Sequence, residues 1–150
     1  MRRLIYLLVI AVAAPARGAV DATLVAKIDA TARAVGWADW DRDGDLDLAI
    51  GAGSDVLVYR NHHGVLTLAY STHTDGVWDL AWGDVNGDGA PDLAIGGPTS
   101  ISILINNGSG TGWDESYVVM ETGAAAAVHG VAFGDVDGDQ DLDLAASAWN

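Results

Sequence analysis

The segment GDVNGDGAPDLAIG, residues 83–96, alternates oxygen-bearing side chains and then becomes apolar. Asp84, Asn86 and Asp88 stand at every second position, Gly89 follows them, and Asp92 begins the apolar run. Calcium takes about six to eight oxygen ligands from carboxylates, amide side chains and backbone carbonyls, and glycine permits the positive φ of a sharp turn. The segment therefore predicts a calcium-binding loop that leads into a buried strand.

The same pattern occurs three times. Residues 37–51 are WADWDRDGDLDLAIG and residues 133–147 are FGDVDGDQDLDLAAS, so the first aspartates, Asp39, Asp84 and Asp135, lie 45 and then 51 residues apart. A period of this size indicates a repeat architecture. We call residues 39–47, 84–92 and 135–143 the first, second and third loops. In each loop, positions one, three, five and nine offer side-chain oxygens and position seven offers its backbone carbonyl. The predicted ligands are Asp39, Asp41, Asp43, Asp45 by its carbonyl and Asp47; Asp84, Asn86, Asp88, Ala90 by its carbonyl and Asp92; and Asp135, Asp137, Asp139, Asp141 by its carbonyl and Asp143.

Two departures occur within the loops. Gln140 stands where the other two loops have glycine. A non-glycine residue in the left-handed region costs on the order of 1 kcal/mol, so we expect a distorted or weaker third site. Arg42 lies within the first loop, and we expect it to leave the predicted calcium site there largely unaffected.

Two other kinds of loop share part of this pattern. Asp, Asn and Gly also form ordinary turns without metal, but 13 of the 21 acidic residues fall inside the loops, and crowded carboxylates repel one another without a cation. The EF-hand also begins with alternating acidic residues, yet it requires a bidentate Glu at position twelve and flanking helices. Position twelve here is Ile50, Ile95 or Ala146, which excludes that motif.

The overall composition favours a folded protein that does not bind nucleic acid. Half of the residues are hydrophobic, six are tryptophan, and the formal net charge is −14. Nucleic-acid binders carry basic patches, and only Lys27, Arg33, Arg42 and Arg60 are basic beyond residue 20. The negative charge is concentrated in the loops.

The first 18 residues are predicted to be a secretory signal peptide. Arg2 and Arg3 precede an apolar run over residues 4–14, which is too short to span a bilayer and suits a signal h-region. Signal peptides are cleaved after a small-x-small pattern, which occurs at residues 14–16 and again at residues 16–18. Cleavage is therefore predicted after Ala16 or Gly18. We therefore expect a secreted, extracytoplasmic chain with no membrane span after cleavage. Outside the cytoplasm, calcium is abundant enough to fill weak sites.

Strand patterns surround every loop. Alternating apolar residues precede the loops at Val35 and Trp37, Leu80 and Trp82, and Val131 and Phe133, and short apolar runs follow them. Two further strands are predicted in each interval, over residues 56–59 and 65–70 and over residues 101–105 and 117–120. Four short strands per period are typical of a β-propeller blade. Residues 22–30 are predicted to form an outer strand of a preceding partial blade.

The motifs WGDVNGDGAPDLAIG and FGDVDGDQDLDL resemble the FG-GAP, or VCBS-type, repeat of integrin-α-like β-propellers, and VLVYRNHHG resembles the mid-blade hairpin of that family. The resemblance covers about residues 32–150. It implies an all-β fold, namely a partial β-propeller of four-stranded antiparallel blades, with about two to three blades over residues 19–150. It also implies calcium in the loop between two strands of a blade.

The resemblance implies a role in scaffolding or in binding an extracellular protein or glycan, without catalysis. The alternative is a part, catalytic or not, of a carbohydrate-active enzyme, whose carboxylates would act as acid and base. A catalytic pair should occur once, however, whereas these acids recur with the repeat. Fewer than three blades leave strand edges exposed, so we expect either a truncated piece of a longer propeller or self-assembly.

The remaining candidates are single residues and pairs. His62 and His63 are a candidate transition-metal site, but the predicted hairpin turn favours a solvated polar turn. Trp37, Trp82 and Phe133 recur at one position and are predicted to lie in the core. Trp78, Trp113 and Trp149 break that register and are candidates for a sugar-stacking surface.

Overall fold

The structure is a computed structural model, and it describes residues 7–13, 21–28, 32–121 and 126–149. All regular elements in these ranges are strands. They are β1 (Leu7–Ala13), β2 (Asp21–Ile28), β3 (Ala32–Ala38), β4 (Asp47–Ala52), β5 (Asp55–His62), β6 (Val65–His73), β7 (Asp79–Gly83), β8 (Asp92–Gly96), β9 (Ser100–Asn106), β10 (Trp113–Glu121), β11 (Ala127–Gly134) and β12 (Asp143–Trp149).

The strands form antiparallel sheets that follow the sequence period. Strands β3 to β6 pair in chain order and form the first blade, and β7 to β10 form the second blade in the same way. Strands β11 and β12 form a two-stranded third sheet. The prediction of an all-β fold with four antiparallel strands per period is confirmed. Among the residues that the structure describes, no helix is long and apolar enough to cross a membrane.

Strands β1 and β2 form a separate antiparallel pair. Strand β1 lies within the apolar run assigned to the signal peptide. Strand β2 overlaps the strand expected over residues 22–30, whose last two residues lie outside the described ranges. Both proposed cleavage positions, Ala16 and Gly18, lie outside the described residues. Signal cleavage therefore stays a prediction.

The strands that follow the first and second loops form the centre of each blade. Every residue of β8, and all but the last residue of β4, is buried. These strands carry the Leu-Ala-Ile runs because their sheet neighbours and the packed faces exclude water from both sides. In the third sheet, β12 has the same sequence pattern but remains largely exposed.

Neighbouring blades pack through a valine placed against a glycine. Val77 precedes β7 and is fully buried, and a Cβ at Gly51 of β4 would overlap its Cγ1 atom. Val128 of β11 is equally buried, and a Cβ at Gly96 of β8 would lie 2.9 Å from its Cγ1 atom. The contact repeats with the sequence period, because both glycines lie four residues after the last aspartate of their loop. The missing side chain therefore lets consecutive blades approach closely.

An aromatic cluster fills the space between the first and second blades. Trp40, the second residue of the first loop, is fully buried, and its ring centroid lies 5.9 Å from that of Trp113. Trp82 and Tyr70 each lie 6.0 Å from Trp113. In the part of the chain with described side chains, the indole N–H groups of Trp40, Trp82 and Trp113 have no hydrogen-bond partner, so apolar packing holds this cluster together.

This cluster corrects two predictions about tryptophan. Trp113 packs between the blades, so it is not part of an exposed sugar-stacking surface. Trp37 was expected in the core but is 45% exposed, since no described blade covers that end of the first blade. Trp82 and Phe133 pack against the core as predicted. Trp78 and Trp149 both contact His129, with ring centroids 4.2 and 5.4 Å from its ring. Their binding of a glycan stays a prediction.

Candidate metal centre

The first aspartate of each loop organises the turn. One carboxylate oxygen of Asp39 accepts a hydrogen bond from the Asp43 amide and the other from the Gly44 amide, both at 3.0 Å. Asp84 accepts in the same way from the amides of Asp88 and Gly89, and Asp135 accepts from those of Gly138 and Gln140. The turn therefore closes around a carboxylate in all three loops.

The last aspartates of the first and second loops are buried at the start of their strands. Asp47 accepts hydrogen bonds from the amides of Trp40 at 2.9 Å and Asn61 at 2.7 Å. The equivalent residue Asp92 accepts from Val85 and Asn106 at 2.9 and 2.8 Å. Each carboxylate therefore ties its loop to the third strand of the same blade. Asp143 is exposed and accepts from Val136 at 2.9 Å.

Burial changes the acidity of these carboxyl groups. Desolvation raises the pKa of Asp47 and of Asp92 above the ordinary value, against the opposing effect of their backbone hydrogen bonds. Neighbouring carboxylates add to the increase, namely Asp41 for Asp47 and Asp88 with Asp84 for Asp92. The exposed Asp88 differs, because hydrogen bonds from the Ala90 amide and the Asn86 side chain lower its pKa. A cation beside the buried carboxylates would favour their charged form.

The loop oxygens lie close enough together to share one ion. One carboxylate oxygen from each of Asp39, Asp41 and Asp43 lies within 4.8 Å of the other two, and the same holds for Asp135, Asp137 and Asp143. Two ligands that are each about 2.4 Å from an ion can be no more than about 4.8 Å apart. The donor set is made of hard oxygens, which suits calcium. The geometry therefore fits the ion that the sequence predicts.

The second loop has the same backbone arrangement with an amide in place of one carboxylate. Asn86 Oδ1 accepts from the Asp88 amide at 3.0 Å, and Asn86 Nδ2 donates to Asp88 Oδ2 at 2.9 Å. Asp88 Oδ1 in turn accepts from the amide of the buried Ala90 at 2.7 Å. Asp43 and Asp139 make the equivalent bonds to Asp45 and Asp141.

Each loop requires a positive φ at two positions. At position six, Gly44 and Gly89 have φ of 97° and 84°, and Gln140 is forced to 79°. The positive φ expected at Gln140 is confirmed. At position four, Gly87 and Gly138 have positive φ and Arg42 adopts 60°. Sequence reasoning missed this second requirement, although two glycines at position four were its signal.

Two arginines connect the first loop to the second blade. The Arg42 guanidinium donates to the carbonyl of Gly108 at 2.9 Å. Arg60 Nε lies 2.7 Å from Asp41 Oδ2, and the same guanidinium donates to the Gly110 carbonyl. Asp41 Oδ1 accepts from the Asp43 amide at 3.2 Å. Arg60 therefore supplies a counter-charge to one predicted ligand, which the sequence alone did not indicate.

The sequence model of the FG-GAP-like repeat family matches residues 39–95 and 84–146. These two overlapping segments contain all three loops and cover more than half of the chain. The chain belongs to the FG-GAP-like repeat family. FG-GAP repeats typically occur in extracellular proteins, often bind calcium and are generally non-catalytic. No curated protein matches this FG-GAP-like chain.

Proposed function

We propose that this chain is a secreted, calcium-stabilised β-propeller repeat module that scaffolds or binds an extracellular protein or glycan. The single observation that carries the calcium proposal is the convergence of loop oxygens. Asp39, Asp41 and Asp43 each place one oxygen within 4.8 Å of the others, and the same loop recurs twice more in the chain. Bound calcium supplies positive charge that offsets the repulsion among these carboxylates.

The proposed ligands are those predicted from the sequence. In the first loop they are Asp39, Asp41, Asp43, Asp47 and the carbonyl of Asp45, and the second and third loops use the equivalent residues. Asp47 and Asp92 also bind the amides of Asn61 and Asn106 in the third strand of their blades. A loop fixed by calcium is therefore connected directly to the centre of its blade, so that metal binding stabilises the whole blade by mass action.

We propose that the module itself is not an enzyme. The acidic clusters of the described residues lie in loops that recur with the period, whereas a general acid and base act as a single specific pair. The module's contribution is a rigid surface for a partner.

Removal of calcium tests the proposal. Chelation with EDTA should lower the thermal midpoint of the purified chain, since a ligand at about 100 times its Kd stabilises the folded state by about 2.7 kcal/mol. Differential scanning calorimetry in calcium and in EDTA measures this shift. Asp84→Ala protein should show a smaller shift because it lacks one carboxylate of the second loop. If EDTA leaves the midpoint of the parent chain unchanged, calcium does not stabilise this fold.

A further inference from the structure

The β5–β6 hairpin places two histidines beside the first loop. Asp45 Oδ2 accepts a hydrogen bond from the His63 amide at 2.8 Å and lies 3.3 Å from His63 Nδ1. The rings of His62 and His63 have their centroids 4.3 Å apart. One donor atom from each of Asp45, His62 and His63 lies within 4.8 Å of the other two. Eighteen residues separate Asp45 from His63, so the sequence did not reveal this third donor.

The hairpin is held in place against the loop. His63 and Gly64 form its two-residue turn with φ of 51° and 88°, which is a type I′ arrangement. The Gly64 amide donates to Asn61 Oδ1 at 2.9 Å, and Asn61 Nδ2 donates to the Leu46 carbonyl at 3.0 Å. These bonds fix the backbone that carries both imidazoles.

The donor set differs in chemistry from the calcium loops. Two imidazoles and one carboxylate suit Zn²⁺, Co²⁺, Ni²⁺ or Cu²⁺, whereas calcium prefers oxygen alone. Ligand atoms at about 2.0–2.2 Å from a tetrahedral zinc ion lie about 3.3 Å apart. His63 Nδ1 and Asp45 Oδ2 are 3.3 Å apart. The side chains of His62 and His63 are 73% and 81% exposed, so small side-chain rotations can bring the remaining donor to that distance.

The second blade provides an internal comparison. Asn61 and Asn106 are equivalent, because each donates its amide to the last aspartate of its loop. The second-blade equivalents of Asp45, His62 and His63 are therefore Ala90, Asn107 and Gly108. None of these three side chains carries a carboxylate or an imidazole. The histidine cluster is a local addition to the first blade and is not required by the loop architecture.

We propose that Asp45, His62 and His63 form a separate site for a divalent transition-metal ion such as Zn²⁺. Asp45 is predicted to bind calcium through its backbone carbonyl, so its carboxylate is available to the second ion. This proposal differs from the sequence-based interpretation, which favoured a solvated polar turn at His62 and His63. An ion bound here joins the β5–β6 turn to the first loop and keeps a coordination position open to solvent.

Zinc titration in excess calcium tests this site directly. Isothermal titration calorimetry on the full chain should show one zinc ion bound per chain, and Co²⁺ should give visible d–d absorption bands. His62→Ala and His63→Ala should each weaken zinc binding by at least about tenfold, since even outer-shell changes cost about 10–100-fold. Asp45→Asn should also weaken zinc binding, because it removes the carboxylate that faces both histidines.

His73→Ala is the matched control. His73 is also exposed and pairs with an aspartate, Asp55, at 2.8 Å, but no third donor accompanies it among the described residues. This variant should bind zinc as the parent does. Circular dichroism should show that all variants remain folded, which is expected because both histidine side chains are exposed. The proposal is overturned if the parent binds no zinc, if excess calcium displaces the zinc, or if the two histidine variants bind zinc as tightly as the parent. Failure of the calcium proposal would leave this result unaffected.

Discussion

At the scale of single residues, the three loops differ at the two positions that require a positive φ. The second loop has glycine at both, whereas Arg42 occupies one position in the first loop and Gln140 occupies one in the third. Arg42 is supported by its hydrogen bond to Gly108 in the neighbouring blade. The Gln140 backbone adopts the same region, and its amide donates to the Asp135 carboxylate. The positions that force a non-glycine residue to a positive φ therefore differ among the three related loops.

Gln140→Gly should stabilise the third loop. Glycine removes the steric cost of the left-handed region, on the order of 1 kcal/mol, part of which is offset by the greater freedom of the unfolded chain. Urea denaturation in calcium measures the change in the free energy of unfolding. Gly89→Gln is the reciprocal control in the second loop and should destabilise the protein. A loss of stability for Gln140→Gly would contradict the strain argument.

The buried aspartates predict a pH dependence that calcium should reverse. A raised pKa means that the folded state binds the proton more readily than the unfolded state, so the stability contributed by Asp47 and Asp92 falls as the pH rises through the raised pKa. In metal-free protein, acidification from neutral pH towards the ordinary aspartate pKa value of 3.8 should therefore increase the thermal midpoint. In excess calcium the same acidification should lower it, because protons compete with the ion for the carboxylates.

Asp92→Asn isolates this effect, since it removes one titrating group from the core. The metal-free variant should show a shallower pH slope than the parent. Scanning calorimetry across the pH range provides the comparison. Identical slopes for the parent and Asp92→Asn would show that Asp92 does not titrate differently in the folded state.

At the scale of strands and blades, local patterns predicted most of the structure. Alternating apolar residues and the recurring loop sequence located all ten strands from β3 to β12, because strand formation and turn formation depend on near neighbours in the chain. Contacts between blades were not predicted. The burial of Trp40 and Trp113 and the bonds of Arg42 and Arg60 join residues that are far apart in sequence. The same reason explains why Asp45 was not connected with His63.

Gly51→Ala should disrupt the contact between the first two blades. The added Cβ would overlap Val77, which is fully buried, and overpacking of this kind costs about 1–3 kcal/mol. Gly134→Ala is the matched control, because Gly134 also lies in a strand and a Cβ there meets nothing within 4 Å. Urea denaturation should show a loss only for Gly51→Ala. Equal effects at the two positions would refute close blade contact at Gly51.

At the scale of the whole molecule, apolar surface remains open at the third sheet. Val136 occupies the same loop position as the buried Trp40 but is 86% exposed. On β12, Ser147 is equivalent to Gly51 and Gly96. On β3, Ala32 is equivalent to Val77 and Val128. A Ser–Ala pair has the same number of side-chain heavy atoms as a Gly–Val pair. We therefore expect the third sheet of one copy to accept the first blade of another.

We predict that this chain self-associates through these two surfaces. Light scattering over a range of concentrations should show species larger than the monomer. Ala32→Val should weaken association by crowding Ser147, and the double variant Ala32→Val/Ser147→Gly should restore it. A monomer at all concentrations would contradict self-association. We would then expect the exposed surface to contact further blades of a longer propeller.

The valine-and-glycine contact between blades has a consequence for how such proteins change in length. The second period contains both halves of the contact, with Val77 before its first strand and Gly96 within its second strand. Tandem duplication of the gene segment that encodes this period would therefore create a new blade already matched to both neighbours. Lineages can gain or lose whole units by recombination without a compensating mutation at the join.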